Sequence, residues 1–201
     1  CLPDGSSQRL KVRSMVGLLP LCASTIFEPD AVVAHPRLLE LIRLFRERHP
    51  EVVAHVAPTD EGYVGHGGRR LLSPLSREKL ERVLRYLVDE NEFLGPFGIR
   101  SLSRHHAEHP FEFRVGGEVH RVSYLPAESD TGMFGGNSNW RGPVWMPVNA
   151  LIVRGLLNLY AFYGDDFTIE CPAGSGQRMT LFGIAQEISR RLARTFLRDE
   201  R

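Results

Sequence analysis

The fold is decided by one apolar stretch, PVWMPVNALIVRGLLNLYAFYG, which runs from Pro143 to Gly164. Its apolar residues recur every three or four positions, as on one face of an α-helix of about five to six turns. This predicted face consists of Val144, Val148, Leu151, Ile152, Leu156 and Leu159. Gly155 indicates the close approach of a neighbouring helix, and Gly164 is a natural helix stop.

Two further helices are predicted before residue 51. The segment SMVGLLPLCASTIF (14–27) is apolar almost all round, which is typical of a helix buried on most faces, and Pro20 should kink it. The next helix begins at Pro36 and ends at Pro50. Its predicted apolar face consists of Leu38, Leu41, Ile42 and Phe45.

Two more amphipathic helices are predicted, one on each side of the long apolar stretch. In residues 73–94 Ser73 supplies a cap, Pro74 lies in the first turn, and the apolar stripe is Leu80, Val83, Leu84, Leu87 and Val88. Thr180 caps the last helix, over 181–199. Its inward residues are Leu181, Ile184, Ala185, Ile188, Leu192 and Phe196, and its largely outward residues are Arg190, Arg191, Arg194 and Arg198.

The hydrophobic period changes in FEFRVGGEVHRVSYLP (111–126), where apolar residues alternate on either side of Gly116-Gly117. This alternation predicts a β-hairpin. A short strand is also indicated at 167–170. We therefore expect an all-α fold, mainly helical with a small β-hairpin, that forms a single domain over residues 1–201.

Composition excludes several functional classes. The formal net charge of +1 gives no global field for nucleic acid or for a membrane surface, and no apolar run is long enough to span a bilayer. The three cysteines, at positions 1, 22 and 171, lack CxxC spacing, so we expect a reducing, cytoplasmic setting. No residue pattern calls for a metal or another cofactor.

The loop ESDTGMFGGNSNWRGPVW (128–145) places two tryptophans and an arginine among acids, amides and glycines, directly before the long helix. Indole rings stack on the apolar faces of sugars, and planar polar groups bind sugar hydroxyls, so this mixture suits a polyhydroxylated ligand. The candidate sugar-binding residues are Glu128, Asp130, Asn139, Trp140, Arg141, Trp145 and Asn149.

Two other interpretations of this loop stay open. In the first, Trp140 and Trp145 are core anchors and Arg141 pairs with a carboxylate such as Asp130. In the second, the chain is a helical-hairpin interaction module whose tryptophan-rich loop binds a protein, since Trp and Arg are common at the energetic centres of interfaces. The second interpretation does not account for the acids and amides.

The segment WRGPVWMPVNALIVRGL (140–156) resembles a segment of glycoside hydrolase family 63 and its bacterial relatives, which include glucosidases and mannosylglycerate hydrolases. Three other segments are similar to the same group: RLKVRSMVGLLPLCA (9–23), DENEFLGPFGIRSLSRHH (89–106) and FYGDDFTIECPAGSG (162–176). The resemblance covers nearly the whole chain. It implies an (α/α)6 toroid of helical hairpins, with long loops gathered around a sugar pocket at one end.

The resemblance also implies roles for residues. Trp140 and Trp145 would contact the sugar at the point of cleavage, and Arg141 would shape the pocket. Relatives often have Tyr where this chain has Asn139, which leaves the identity of the sugar open. The reaction would be an inverting hydrolysis by two carboxyl groups.

The resemblance places both catalytic carboxyl groups outside the chain, with the acid upstream and the base downstream. The chain begins without an initiator Met and ends in a helical pattern. We therefore expect a fragment that supplies sugar-binding residues, is inactive alone, and has a carbohydrate substrate and the remainder of the parent barrel as its partners.

Two other motifs are weaker. HHAEH contains the H-x-x-E-H pattern of some zinc proteases at His105, Glu108 and His109, but Pro110 follows at once and leaves no further helical turn to support it. A surface histidine cluster is the preferred interpretation. AGSGQRMT (173–180) lacks the Lys-Ser/Thr ending of a phosphate-binding loop.

Overall fold

The computed structural model describes residues 5, 7, 9–54, 56, 57, 63–126 and 144–197. The α-helices are α1 (Pro29–Ala34), α2 (Pro36–Arg48), α3 (Pro50–Val53), α4 (Arg77–Leu87), α5 (Met146–Tyr163) and α6 (Leu181–Ala193). The strands are β1 (Thr25–Phe27), β2 (Arg70–Leu72), β3 (Leu94–Gly95), β4 (Gly98–Ile99), β5 (Phe111–Val115), β6 (Glu118–Val122), β7 (Thr168–Glu170) and β8 (Arg178–Thr180). Helices of the 3₁₀ type cover Met15–Ala23, His66–Gly68, Arg104–Ala107, Gly164–Asp166 and Arg194–Phe196.

Helix α5 is the centre of the core, as its length and period predict. It packs against α6 and against the 3₁₀ helix Met15–Ala23. The buried residues of α5 are Asn149, Ile152, Gly155, Leu156, Leu159 and Phe162. Two predictions for this face are wrong: Leu151 is 47% exposed, and Val144 precedes the helix. Gly164 ends the helix at φ 64°, a conformation that glycine adopts without steric cost.

The expected α-helix over residues 14–27 is wrong. The chain forms a 3₁₀ helix, Met15–Ala23, with Pro20 inside it, and then strand β1. Its buried residues, Met15, Leu18 and Leu21, are spaced by three, which is the residue count of one 3₁₀ turn. Only one face is therefore buried, and Val16 and Leu19 on the other faces are exposed.

Helix α4 buries the predicted stripe except Val83, which is partly buried, and it begins later than predicted. Its cap is Ser76, whose hydroxyl accepts a hydrogen bond from the backbone N–H of Lys79 at 3.4 Å. Ser73 was the predicted cap, but its hydroxyl oxygen instead lies 3.0 Å from the hydroxyl oxygen of Ser24. Leu80, Leu84 and Leu87 are fully buried.

Helix α6 is capped by Thr180, as predicted, because its hydroxyl accepts a hydrogen bond from the backbone N–H of Gly183. The inward set is buried up to Leu192. Two predictions for this helix are wrong: Phe196 is 78% exposed, and Arg191 is buried instead of outward.

The described residues form four two-stranded antiparallel sheets instead of one hairpin. The predicted hairpin is confirmed as β5 and β6, joined at Gly116-Gly117. The others pair β1 with β2, β3 with β4, and β7 with β8. The described residues are about half helical and their sheets are small, which is compatible with the mainly helical class. No helix in the described ranges is long and apolar enough to cross a membrane.

Helices α1 to α3 lie outside the core. No residue of α2 or α3 is buried, although α2 has the predicted bounds and Pro50 follows its end as the first residue of α3. The apolar face of α2 is only partly covered, since Leu41 is 55% and Phe45 is 48% exposed.

Candidate functional site

The predicted sugar-binding residues lie only partly within the described ranges. Those outside them are Glu128, Asp130, Asn139, Trp140 and Arg141. Trp145 and Asn149 are described, as are the two points at which segment 127–143 joins the core. We name this junction the loop base and define it by Arg100, Tyr124, Val144, Trp145 and Asn149.

Arg100 contacts both ends of the loop base. It is 6% exposed, and its Nε donates a hydrogen bond to the hydroxyl of Tyr124 at 3.1 Å. Its backbone forms an antiparallel bridge with Val144. Its Nη1 donates to the carbonyl oxygens of Glu90, Glu92 and Leu94 at 3.0, 3.3 and 2.9 Å. The chain therefore leaves the core at Tyr124 and returns at Val144 beside the same arginine.

Asn149 attaches the first turn of α5 to the end of β4. Its side chain is fully buried, and its Oδ1 accepts a hydrogen bond from the backbone N–H of Ile99 at 2.7 Å. Its Nδ2 donates to the carbonyl oxygens of Ile99 and Trp145 at 3.1 and 2.9 Å. Both amide hydrogens are thus used by backbone acceptors.

Trp145 is the N-cap residue of α5. Its carbonyl accepts hydrogen bonds from the backbone N–H and the side-chain amide of Asn149, both at 2.9 Å. Trp145 is partly buried and packs against the core. Its backbone is therefore fixed, and the residue as a whole is not fully enclosed.

Arg191 connects α6 to the segment that Arg100 binds. It is 8% exposed. Its Nε and Nη2 bind the carboxylates of Glu187 and Glu90, each at 2.7 Å, and its Nη1 donates to the carbonyl of Gly95 at 3.1 Å. Arg191 was predicted to face outward, but these bonds satisfy the buried guanidinium.

Glu187 is not suited to act as a general acid. Hydrogen bonding from Arg190, with a further contribution from Arg191, lowers its pKa to about 2, although burial acts in the opposite direction. A general acid needs a raised pKa so that it carries a proton at neutral pH. Glu92 has an 11% exposed side chain that binds Arg13 and the hydroxyl of Ser103. Both carboxylates thus have structural partners.

Replacing Glu187 with Gln should weaken the acid dependence of stability. Because the folded pKa lies below the ordinary 4.5, the ionised carboxylate stabilises the fold above pH 4.5, and this contribution is lost as pH falls towards about 2. Urea unfolding midpoints measured across this window should decline less in Glu187→Gln than in the parent chain. The control is Glu47→Gln, which changes a 58% exposed carboxylate on α2. An unchanged decline in Glu187→Gln would contradict the prediction.

The histidine cluster does not have the geometry of an H-x-x-E-H zinc site. That motif needs an α-helix with both imidazoles on one face. Here Arg104–Ala107 is one 3₁₀ turn, and the rings of His105 and His109 stack with centroids 4.5 Å apart. His106 is buried, its Nε2 accepting from the backbone N–H of Arg13 and its Nδ1 bonding the carbonyl of His109. Within the described ranges no group of three potential metal ligands is present.

A cavity of about 710 Å³ lies at the opposite end of α5 from the loop base. The residues that line it include Tyr63, His66, Arg77, Tyr163, Asp165 and Asp166. The 18 residues of α5 span about 27 Å at about 1.5 Å per residue, so this cavity is remote from Trp145. Residues 63–66 border this cavity and not the loop base.

Sequence reasoning did not single out Arg100 or Tyr124. Both lie in segments already noted, 89–106 and 111–126, but neither segment has a local pattern that marks a polar contact. The hydrogen bond between them joins residues 24 positions apart. The available signal was the similarity of DENEFLGPFGIRSLSRHH to known glycosidases, which indicated the segment but not the residue.

Comparisons with known proteins confirm the family resemblance. The chain is 45% identical over 193 residues to "Uncharacterized protein YMR196W" of Saccharomyces cerevisiae, an alignment that covers 96% of this chain and 18% of the yeast protein. No solved structure matches the chain. The family model "Mannosylglycerate hydrolase MGH1-like glycoside hydrolase domain" matches residues 71–199, which include α4, α5, α6 and the loop base. The chain therefore belongs to the family of mannosylglycerate hydrolase MGH1-like glycoside hydrolase domains.

Proposed function

We propose that the loop base and the segment it anchors form one wall of the sugar pocket of a glycoside hydrolase. The observation that carries this proposal is Trp145, a partly buried residue whose backbone is fixed at the entrance to α5, in a chain of a glycoside hydrolase family. An accessible aromatic ring on a rigid support stacks on a pyranose with little loss of conformational entropy.

The proposed roles differ between residues. Trp140 and Trp145 stack on the sugar, and Arg141 shapes the pocket. Polar contacts to the sugar hydroxyls come from Glu128, Asp130 and Asn139. Asn149 acts through Trp145, because its amide hydrogens are already donated to the carbonyls of Ile99 and Trp145.

The catalytic pair belongs to another part of the same protein. The chain spans 18% of the yeast relative, so most of a homologous protein lies outside it. Glu187, Glu92 and Glu90 are each paired with an arginine in the described region. We propose an inverting α-glycosidase, a glucosidase or a mannosylglycerate hydrolase, whose general acid and base are supplied by neighbouring segments.

We further propose that the remainder of the parent protein completes an (α/α)6 toroid. Apolar side chains are exposed on several helices, among them Val33, Leu41, Phe45, Leu151, Phe182 and Phe196. Additional helical hairpins would cover such surfaces. The cysteines Cys22 and Cys171 are both free, which favours a reducing, cytoplasmic setting.

The test is sugar binding by the chain and by Trp145→Ala. Calorimetric titration with glucose, mannose and mannosylglycerate should detect binding to the unsubstituted 201-residue chain. Trp145→Ala removes indole stacking and should weaken the sugar affinity about tenfold, equivalent to about 1.4 kcal/mol. Trp145→Phe should lose less, because a smaller ring remains.

Phe45→Ala is the matched control, since Phe45 is an exposed aromatic residue on α2, away from the loop base. It should leave sugar affinity unchanged. Equal affinities of Trp145→Ala and the parent chain would contradict the role of Trp145. If the parent chain binds no sugar but the loop captures a protein partner, the interaction-module alternative replaces this proposal.

A further inference from the structure

We infer that Arg100 is the positioning residue of the loop base: its side chain holds the outgoing end through the hydroxyl of Tyr124, and its backbone holds the returning end, just before Trp145, through the bridge to Val144. This inference concerns the free protein and extends the proposed function by naming what sets the geometry of the sugar-facing indole. It depends on that function only for its biological meaning, because the placement of the indole can be measured without a sugar.

The first step is the rigidity of Arg100 itself. Its Nη1 is shared among three carbonyl oxygens of the segment Glu90–Leu94, and its Nε is directed to Tyr124. A planar guanidinium with several simultaneous acceptors has one orientation that satisfies all of them. Because Arg100 is 6% exposed, water does not compete for these donors.

The second step is the connection to the outgoing end of the loop base. The Tyr124 hydroxyl accepts from Arg100 at 3.1 Å, and the tyrosine backbone N–H donates to the carbonyl of His106 at 3.1 Å. The tyrosine ring lies 5.7 Å from the guanidinium carbon. Tyr124 is therefore held at its backbone and at its side-chain tip.

The third step is the connection to the returning end. Val144 bridges the backbone of Arg100, and Trp145 follows directly as the cap of α5. Asn149 binds the carbonyl of Trp145 and both backbone groups of Ile99, the residue before Arg100. Two adjacent residues, Ile99 at the end of β4 and Arg100 directly after it, thus hold the backbone that carries the Trp145 side chain.

The experiment uses tryptophan fluorescence in the free chain. Trp140 and Trp145 are its two tryptophans, so a Trp140→Phe background leaves Trp145 as the single reporter. In that background, Tyr124→Phe removes one hydroxyl and keeps the ring. Without this hydrogen bond, the ratio of molecules in which Tyr124 is released from Arg100 to those in which it is bound should rise about fivefold. Emission should shift to the red, and acrylamide quenching should increase.

Arg100→Lys should give a larger change in the same direction, because one ammonium cannot replace the fork geometry that reaches Tyr124 and three carbonyls. The two changes should be non-additive when combined, since both break the same contact. Circular dichroism first shows that each variant keeps the helicity of the unsubstituted chain. A change in the fluorescence of such a variant then reports displacement of Trp145 and not unfolding.

The controls are Tyr86→Phe and Arg154→Lys. Tyr86 is an exposed tyrosine on α4, and Arg154 is an exposed arginine on α5. Both should leave Trp145 emission and quenching unchanged. Lower stability of Tyr124→Phe with an unchanged native Trp145 spectrum would assign Tyr124 a purely structural role and overturn the inference. Failure of sugars to bind the parent chain would refute the proposed function and leave this test intact.

Discussion

Replacing Gly155 with alanine should lower the free energy of unfolding by about 2–3 kcal/mol. A Cβ atom at this position would lie 2.4 Å from the carbonyl oxygen of Leu21 and 3.0 Å from its carbonyl carbon. Both are backbone atoms, so no rotamer change can relieve the overlap. Alanine is the better helix former by about 1 kcal/mol, but this gain is smaller than the cost of separating α5 from the 3₁₀ helix. Urea unfolding followed by circular dichroism measures the difference.

Gly17→Ala is the matched control. Gly17 lies in the same 3₁₀ helix, and a Cβ atom there would meet no other atom within 4 Å. Its free energy of unfolding should stay within about 0.5 kcal/mol of the parent chain, as for most surface substitutions. A stability of Gly155→Ala equal to or above that of Gly17→Ala would show that α5 and the 3₁₀ helix do not pack as closely as described.

The same contact explains which parts of the fold sequence could predict. The period of α5 is a local property, so its approximate extent and three of its six buried residues, Ile152, Leu156 and Leu159, follow from sequence. The 3₁₀ helix was missed because a segment that is apolar almost all round does not distinguish a period of 3.0 from 3.6. Gly155 correctly indicated a close approach, but it did not indicate that the approaching segment is a 3₁₀ helix; Pro20 in that segment removes a donor that an α-helix would use.

The cap of a helix was predictable where only one residue is a candidate for the position. Thr180 follows a strand and precedes an apolar period, and it caps α6. Before α4 two serines lie three residues apart, and each is compatible with a cap. Ser73 pairs with Ser24, which is 49 positions away, and Ser76 caps the helix. A contact at that distance along the chain decides the outcome, and no local pattern contains it.

The polar network of the site was the least predictable part. Arg191 lies among four arginines of similar spacing, and its partner Glu90 is 101 positions away. Helical period separates inward from outward apolar residues, but it does not indicate which arginine meets a buried carboxylate. Asn149 was selected as a sugar-binding residue for its amide, and that amide binds the backbone of Ile99, 50 positions away.

Replacing Asn149 with aspartate should lower the free energy of unfolding by about 3–4 kcal/mol at neutral pH. Aspartate has nearly the same shape, so the change isolates hydrogen bonding. The acceptor bond from the Ile99 N–H can remain, but a carboxylate oxygen would face the carbonyl oxygens of Ile99 and Trp145 in place of Nδ2. Two donor bonds are then lost, and a buried charge faces two acceptors.

The pH dependence separates this mechanism from a loss of packing. A buried carboxyl beside carbonyl oxygens has a raised pKa, so its protonated form is favoured and donates one hydrogen bond. Stability of Asn149→Asp relative to the unsubstituted chain should therefore be greatest below about pH 4, the ordinary pKa of aspartate, and should fall as pH rises through the raised folded pKa.

Asn158→Asp on the same helix is the control. It replaces one amide bond, to the carbonyl of Ser24, and should lower the free energy of unfolding by about 1 kcal/mol. If both variants lose stability equally, the two donor bonds of Asn149 do not fix the entrance to α5. In that case Trp145 would be held mainly by the packing of its ring.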